Sequence, residues 1–63
     1  MSIELHRHGH IQEIRLARPP VNALTPELLA ALRTAVKAAP SEGARGIILT
    51  GGAKVFSGGM DVP

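Results

Sequence analysis

Apolar and polar residues alternate at the start of the chain. Ile3 and Leu5 are set against Glu4 and His6, and Ile14 and Leu16 against Glu13 and Arg15. A period of two predicts strands with one covered face. Glycine accepts positive φ without steric cost, so His8-Gly9 predicts a tight turn between the two runs. A β-hairpin is therefore expected over roughly residues 2–17. The period then changes. After the extended connector "RPPVNAL", whose two prolines remove backbone donors and fix φ, Leu28, Leu29, Leu32, Ala35, Val36 and Ala39 recur at helical spacing and form an apolar stripe expected in the core. Thr25 is a favoured N-cap, Pro26 suits the first helical position, and Glu27 places negative charge in the first turn. Leu24 and Leu29 are spaced for a hydrophobic staple across the cap. Pro40 and Gly43 end the helix. The next run, Ile47-Ile48-Leu49, is continuously apolar and is stopped by Gly51-Gly52. Such a run predicts a strand buried on both faces of a parallel sheet. Strand, helix and strand then make a right-handed crossover unit, and the fold class is α/β.

Composition narrows the picture. The chain has 63 residues, no cysteine, one aromatic residue (Phe56) and 44% hydrophobic residues. It is too apolar for a disordered tail, and it has neither disulfides nor thiolate metal sites. A domain of this length has a marginal core, so part of the core is expected to be supplied from elsewhere. Seven Lys and Arg against five Asp and Glu give a net charge of +2. The basic residues are scattered and lack stacking aromatics, which argues against nucleic acid. No apolar run reaches membrane-spanning length and the N-terminus lacks a secretory pattern, so no membrane partner is expected. The expected compartment is cytoplasmic.

His6, His8 and His10 would share a face on one flat strand. Gly9 turns the chain between them and no acidic or thiol ligand is nearby, so they are read as exposed hairpin histidines and no metal site is expected. "GGAK" lacks the spacing and the Lys-Ser/Thr pair of a phosphate loop. The other glycine pair, in "VFSGGMDV", lies beyond the carboxyl end of the last strand, where open α/β sheets bind ligands. With no Cβ in the way, backbone at Gly58-Gly59 can turn sharply and approach a ligand. Its amides are candidates for an oxyanion hole, which needs fixed donors aimed where negative charge develops. A plain loop is the competing reading of these residues alone.

Taken together and in order, "RPPVNALTPELLAAL", "RGIILTGG" and "VFSGGMDV" resemble the N-terminal portion of the enoyl-CoA hydratase/isomerase (crotonase) family, over most of the chain. The resemblance implies that residues 1–63 are an N-terminal fragment of one crotonase-like ββα spiral domain, with the remainder beyond Pro63. It implies an acyl-CoA-processing enzyme that stabilises a thioester enolate. The backbone N–H of Met60 would be one oxyanion donor, and Pro20, Val21, Ala23, Ser57, Gly58, Gly59, Met60, Asp61 and Val62 would lie along the coenzyme A thioester. Asp61 would fix the turn or cap a following helix. Arg18 would pair with a coenzyme A phosphate or remain a solvated connector arginine. The second donor and the proton-moving glutamates would lie beyond Pro63, since none of Glu4, Glu13, Glu27 or Glu42 matches them. Hydration of a 2-enoyl-CoA is the first expected activity and isomerisation the second, with no cofactor beyond the coenzyme A thioester as substrate. A trimer or hexamer is the implied assembly. A non-catalytic module covered by a partner or by self-association is the contrasting reading.

Overall fold

A computed structural model describes residues 3–59. Strand β1 (Ile3–His8) and strand β2 (Ile11–Leu16) pair antiparallel with Ile3 opposite Leu16 and His8 opposite Ile11. The turn is Gly9-His10, one residue later than the alternation predicts, with Gly9 at φ 63. Helix α1 (Pro26–Ala38) follows, then a single 3₁₀ turn (Pro40–Glu42) and strand β3 (Gly46–Thr50). β3 lies parallel to β2, with Ile11 opposite Gly46 and Arg15 opposite Thr50, so the sheet order is β1-β2-β3. A hairpin, a helix and a third strand thus assemble as an α/β unit.

The helix boundaries follow from local chemistry. Thr25 is in extended conformation (φ −113, ψ 164) and its Oγ1 accepts the Leu28 amide at 3.1 Å. Pro26 occupies the first turn, where its missing N–H costs nothing. At the other end Gly43 takes φ 90 and donates to Pro40 O at 3.1 Å, while the Ala44 amide returns to Ala39 O at 3.0 Å. These bonds satisfy carbonyls that the helix end leaves open.

The core is small. Ile3, Ile14, Leu16 and Leu28 are buried together, with Leu24, Ala31, Leu32 and Ala35 packed against them. Ile14 and Leu28 have no accessible surface. Two expectations need correction. The apolar stripe divides: Leu28, Leu32 and Ala35 pack in the core and Ala39 is buried, but Leu29 and Val36 lie on the exposed side of α1. β3 was expected to be buried on both faces, yet Ile47, Ile48 and Leu49 are 42–48% exposed. The cause is geometric in both cases. β3 is the last strand of the sheet, and α1 lies over the hairpin side, so among the described residues these side chains lack a facing layer. None of the described helices is long and apolar enough to cross a membrane.

Candidate functional site

Two segments distant in sequence meet beyond the carboxyl end of β3. The connector 18–24 folds around Asn22, which has φ 52 and is 5% exposed. Asparagine tolerates this left-handed conformation because its short side chain bonds nearby backbone. Here Oδ1 accepts the Arg18 amide at 2.6 Å, and the Asn22 amide donates to Arg18 O at 2.7 Å. The same side chain reaches across the fold, with Nδ2 donating to Phe56 O at 3.1 Å.

The glycine turn is then laced to this connector. Gly58 N–H donates to Val21 O at 2.7 Å and Leu24 N–H to Gly59 O at 2.8 Å. Ser57 Oγ donates to Asn22 O at 2.8 Å and accepts the Gly59 amide at 3.0 Å. The contact at Gly58 leaves little space, since a Cβ there would lie 3.1 Å from Val21 Cγ2. Gly59 takes φ 96, which favours glycine. The amides of Gly58 and Gly59 are therefore spent inside the protein. These two glycines shape the turn, and neither offers its N–H to a ligand oxygen.

Between β3 and this turn the chain folds back on itself. A Cβ at Gly51 would fall 2.5 Å from Phe56 O and 2.6 Å from Phe56 Cα. The Gly52 amide bonds Val55 O at 2.8 Å. Gly51 is thus required by the approach of backbone.

Of the residues expected along a coenzyme A thioester, the structure brings Val21, Ser57, Gly58 and Gly59 together by these bonds, and Ala23 lies between Asn22 and Leu24, which also make them. Pro20 and Val21 are exposed, and Ala23 and Ser57 half-buried. Met60, Asp61 and Val62 lie outside the described residues. Arg18 donates through Nη1 to Ala23 O at 3.3 Å, so its guanidinium also braces the connector. Asn22 ties the two segments together, a role the sequence reading did not assign to it; an Asn after Pro-Pro-Val, in a connector that must turn, was the available signal.

The opposite sheet face carries a polar cluster. Glu13 is 6% exposed. Its Oε2 accepts Thr50 Oγ1 at 2.6 Å and Arg15 Nε at 3.0 Å, and its Oε1 lies 2.7 Å from His8 Nε2. The hydroxyl of Thr50, then His8 and Arg15, hold the carboxyl pKa down at about 2. Desolvation acts upward but is weaker than each of these three hydrogen bonds. Contrary to expectation, acidic residues do stand beside the histidines, since Glu4 Oε1 is 3.1 Å from His6 Nε2. They form pairs: among the described residues no group of three His, Cys, Asp or Glu is placed to hold a metal.

An open, largely apolar concavity of about 460 Å³ lies elsewhere, between β1 and α1, and Ile3, Leu5, Ala31 and Ala35 help line it. Its lining contains none of the residues expected along the thioester, so the candidate site is the laced glycine turn.

A comparison with curated proteins gave no match. Solved structures do resemble the chain. An enoyl-CoA hydratase from Thermoplasma volcanium is 40% identical with a TM-score of 0.87, over 97% of this chain and 25% of that one. A probable enoyl-CoA hydratase from Mycobacterium tuberculosis is 33% identical with a TM-score of 0.87, over 97% of this chain and 26% of that one. Pseudomonas aeruginosa DspI is 29% identical with a TM-score of 0.87, over 95% of this chain and 25% of that one. The chain thus spans about a quarter of the length of these structures. The family model for enoyl-CoA hydratase/isomerase matches residues 6–63, and the chain belongs to that family.

Proposed function

We propose that this chain supplies the thioester-facing turn of an acyl-CoA enzyme, and one of the two donors of its oxyanion hole. The observation that carries the reading is the lacing of residues 21–24 to residues 56–59. Preorganised donors stabilise a transition state because they need no reorganisation as charge develops. A glycine turn bonded to a second segment has that property, and a free loop does not. The family resemblance assigns the backbone N–H of Met60 to the thioester oxygen, and the amides of Gly58 and Gly59 are engaged internally. Removal of one such donor typically costs about 2.7–4 kcal/mol of barrier. Pro20, Val21, Ala23 and residues 57–62 would line the coenzyme A thioester, and Asp61 would hold the turn. No cofactor is required beyond the thioester substrate.

The proton-moving groups would come from outside residues 1–63. Glu13 is already committed to Thr50, Arg15 and His8, and Glu4, Glu27 and Glu42 are exposed. Hydration of a 2-enoyl-CoA is the proposed reaction, in a trimeric or hexameric assembly. The test is incubation of the protein carrying this chain with short 2- and 3-enoyl-CoA esters, read by mass and by double-bond position. A gain of one water supports hydration. A shifted double bond at unchanged mass replaces it with isomerisation. Absence of both turnover and acyl-CoA binding would sink the reading.

The exposed apolar side chains of β3 favour one further reading, a non-catalytic module that needs a covering partner. A monomeric species with a cooperative melt in sedimentation and calorimetry counts against it.

A further inference from the structure

The Glu13 cluster sits on the sheet face away from the core, yet it holds the chain where the candidate site begins. Thr50 is the last residue of β3 and its ladder pairing with Arg15 is the last in the register. Beyond it the chain leaves the sheet at Gly51. Among the described residues β3 has a neighbour on one side only, and Ile47, Ile48 and Leu49 are exposed. Strand ends held in this way fray readily. One side-chain bond opposes fraying here: Thr50 Oγ1 donates to Glu13 Oε2 at 2.6 Å, a short bond to an ionised acceptor. Glu13 is in turn fixed by Arg15 through Nε at 3.0 Å and Nη2 at 2.9 Å, and by His8 at 2.7 Å. From Thr50 onward the path to the site has little slack. Gly51 packs directly on the Phe56 backbone, and Phe56 O accepts Asn22 Nδ2.

We propose that Glu13 is a positioning residue for the glycine turn, acting through the hydroxyl of Thr50. This rests on the glycine turn being the acyl-CoA site, and the experiment separates the two ideas. A spatial chain of contacts is not itself evidence of coupling, so the test is a double-mutant cycle. Thr50→Val removes the hydroxyl at constant shape, Thr50→Ser restores it, and Glu13→Leu removes the acceptor.

The first readout is amide exchange at Gly52, Gly58 and Leu24, which needs no ligand. Loss of a bond to a charged group is worth about a tenfold change. Thr50→Val is expected to speed exchange at these amides about tenfold while β1–β2 amides keep their rates, and Thr50→Ser to return it. The double variant Glu13→Leu/Thr50→Val is expected to match the faster-exchanging single variant rather than exceed it. The second readout is turnover of the enoyl-CoA ester. Misplacing a donor by about 1 Å costs up to about a hundredfold, so kcat is expected to fall at least tenfold with KM changing less than about twofold. Equal acceleration across the hairpin would show a merely structural bond and overturn the proposal, as would additive effects or unchanged exchange at Gly58. A parent protein that binds no acyl-CoA would defeat the functional reading alone, because the exchange result stands without it.

Discussion

Asn22 is where the architecture of the candidate site is most exposed to test. Asn22→Ala deletes two side-chain bonds, to the Arg18 amide at 2.6 Å and to Phe56 O at 3.1 Å. It also leaves a residue with no compensating polar side chain at φ 52. The bonds are worth about 1 kcal/mol each, and the left-handed conformation costs about 1 kcal/mol, so the expected loss is about 3 kcal/mol. At about 0.05–0.15 kcal/mol per residue, a chain of 63 residues has about 3–9 kcal/mol in total. The substitution therefore removes a third or more of the stability. In a melt followed by circular dichroism, at about 4–8 °C per kcal/mol for a domain this small, the midpoint falls by roughly 12–24 °C. Asn22→Gly separates the contributions. It loses the same two bonds but adopts φ 52 freely, and after its own entropic penalty it is expected to melt above Asn22→Ala. Two results would refute the reasoning. One is an Asn22→Ala midpoint within about 2 °C of the parent. The other is an Asn22→Gly midpoint at or below that of Asn22→Ala, which would show that backbone conformation carries none of the effect.

Gly51→Ala drives a methyl into the Phe56 backbone; the expected loss is about 1–3 kcal/mol, with faster exchange at Gly52, and an unchanged denaturant midpoint would contradict it. Leu28 is fully buried, so Leu28→Ala is expected to cost about 2–5 kcal/mol in urea unfolding, whereas the same change at half-exposed Leu29 costs much less. Glu13 has its carboxyl pKa lowered from 4.5 to about 2 by Thr50, His8 and Arg15. Its stabilisation is therefore present above about pH 4.5 and disappears as pH falls through about 2. Urea midpoints measured from pH 5 to pH 2 should fall more steeply for the parent than for Glu13→Gln, and parallel curves would show that the cluster contributes nothing to acid sensitivity.

The parts of the fold that were legible in the sequence are those set by near neighbours. Alternation located both strands of the hairpin, and Thr25-Pro26 at one end and Pro40 to Gly43 at the other bounded the helix through local capping bonds. Periodicity failed where it had to report what lies opposite. The run Ile47-Ile48-Leu49 reads as a strand buried on both faces, because continuous apolar character is what such strands need. Among the described residues only β2 adjoins it, and the side chains are 42–48% exposed. Leu29 and Val36 fail in the same way: helical spacing assigns them to an apolar arc, but the width of the hairpin decides how much of that arc is covered.

The candidate site shows the same division more sharply, because glycine is a single letter with several physical meanings. Gly51 is dictated by Phe56 backbone lying where a Cβ would stand, while Gly59 is dictated by its own φ of 96 in open space. No local pattern distinguishes the two, since the first depends on how the turn closes and the second on the residue alone. Likewise, Ser57 in "FSGGM" looks like a polar loop residue, yet its hydroxyl both donates to Asn22 O and accepts from Gly59. That double use exists only because a segment 35 residues away arrives beside it. Glu13 and Thr50 are 37 residues apart and carry no shared motif; parallel pairing of β2 with β3 is what sets them diagonally adjacent on one face. Sequence reading could point to the turn because its glycines are written in residue types. The bonds that hold the turn still are written in the register of the sheet, which is settled only when the chain folds.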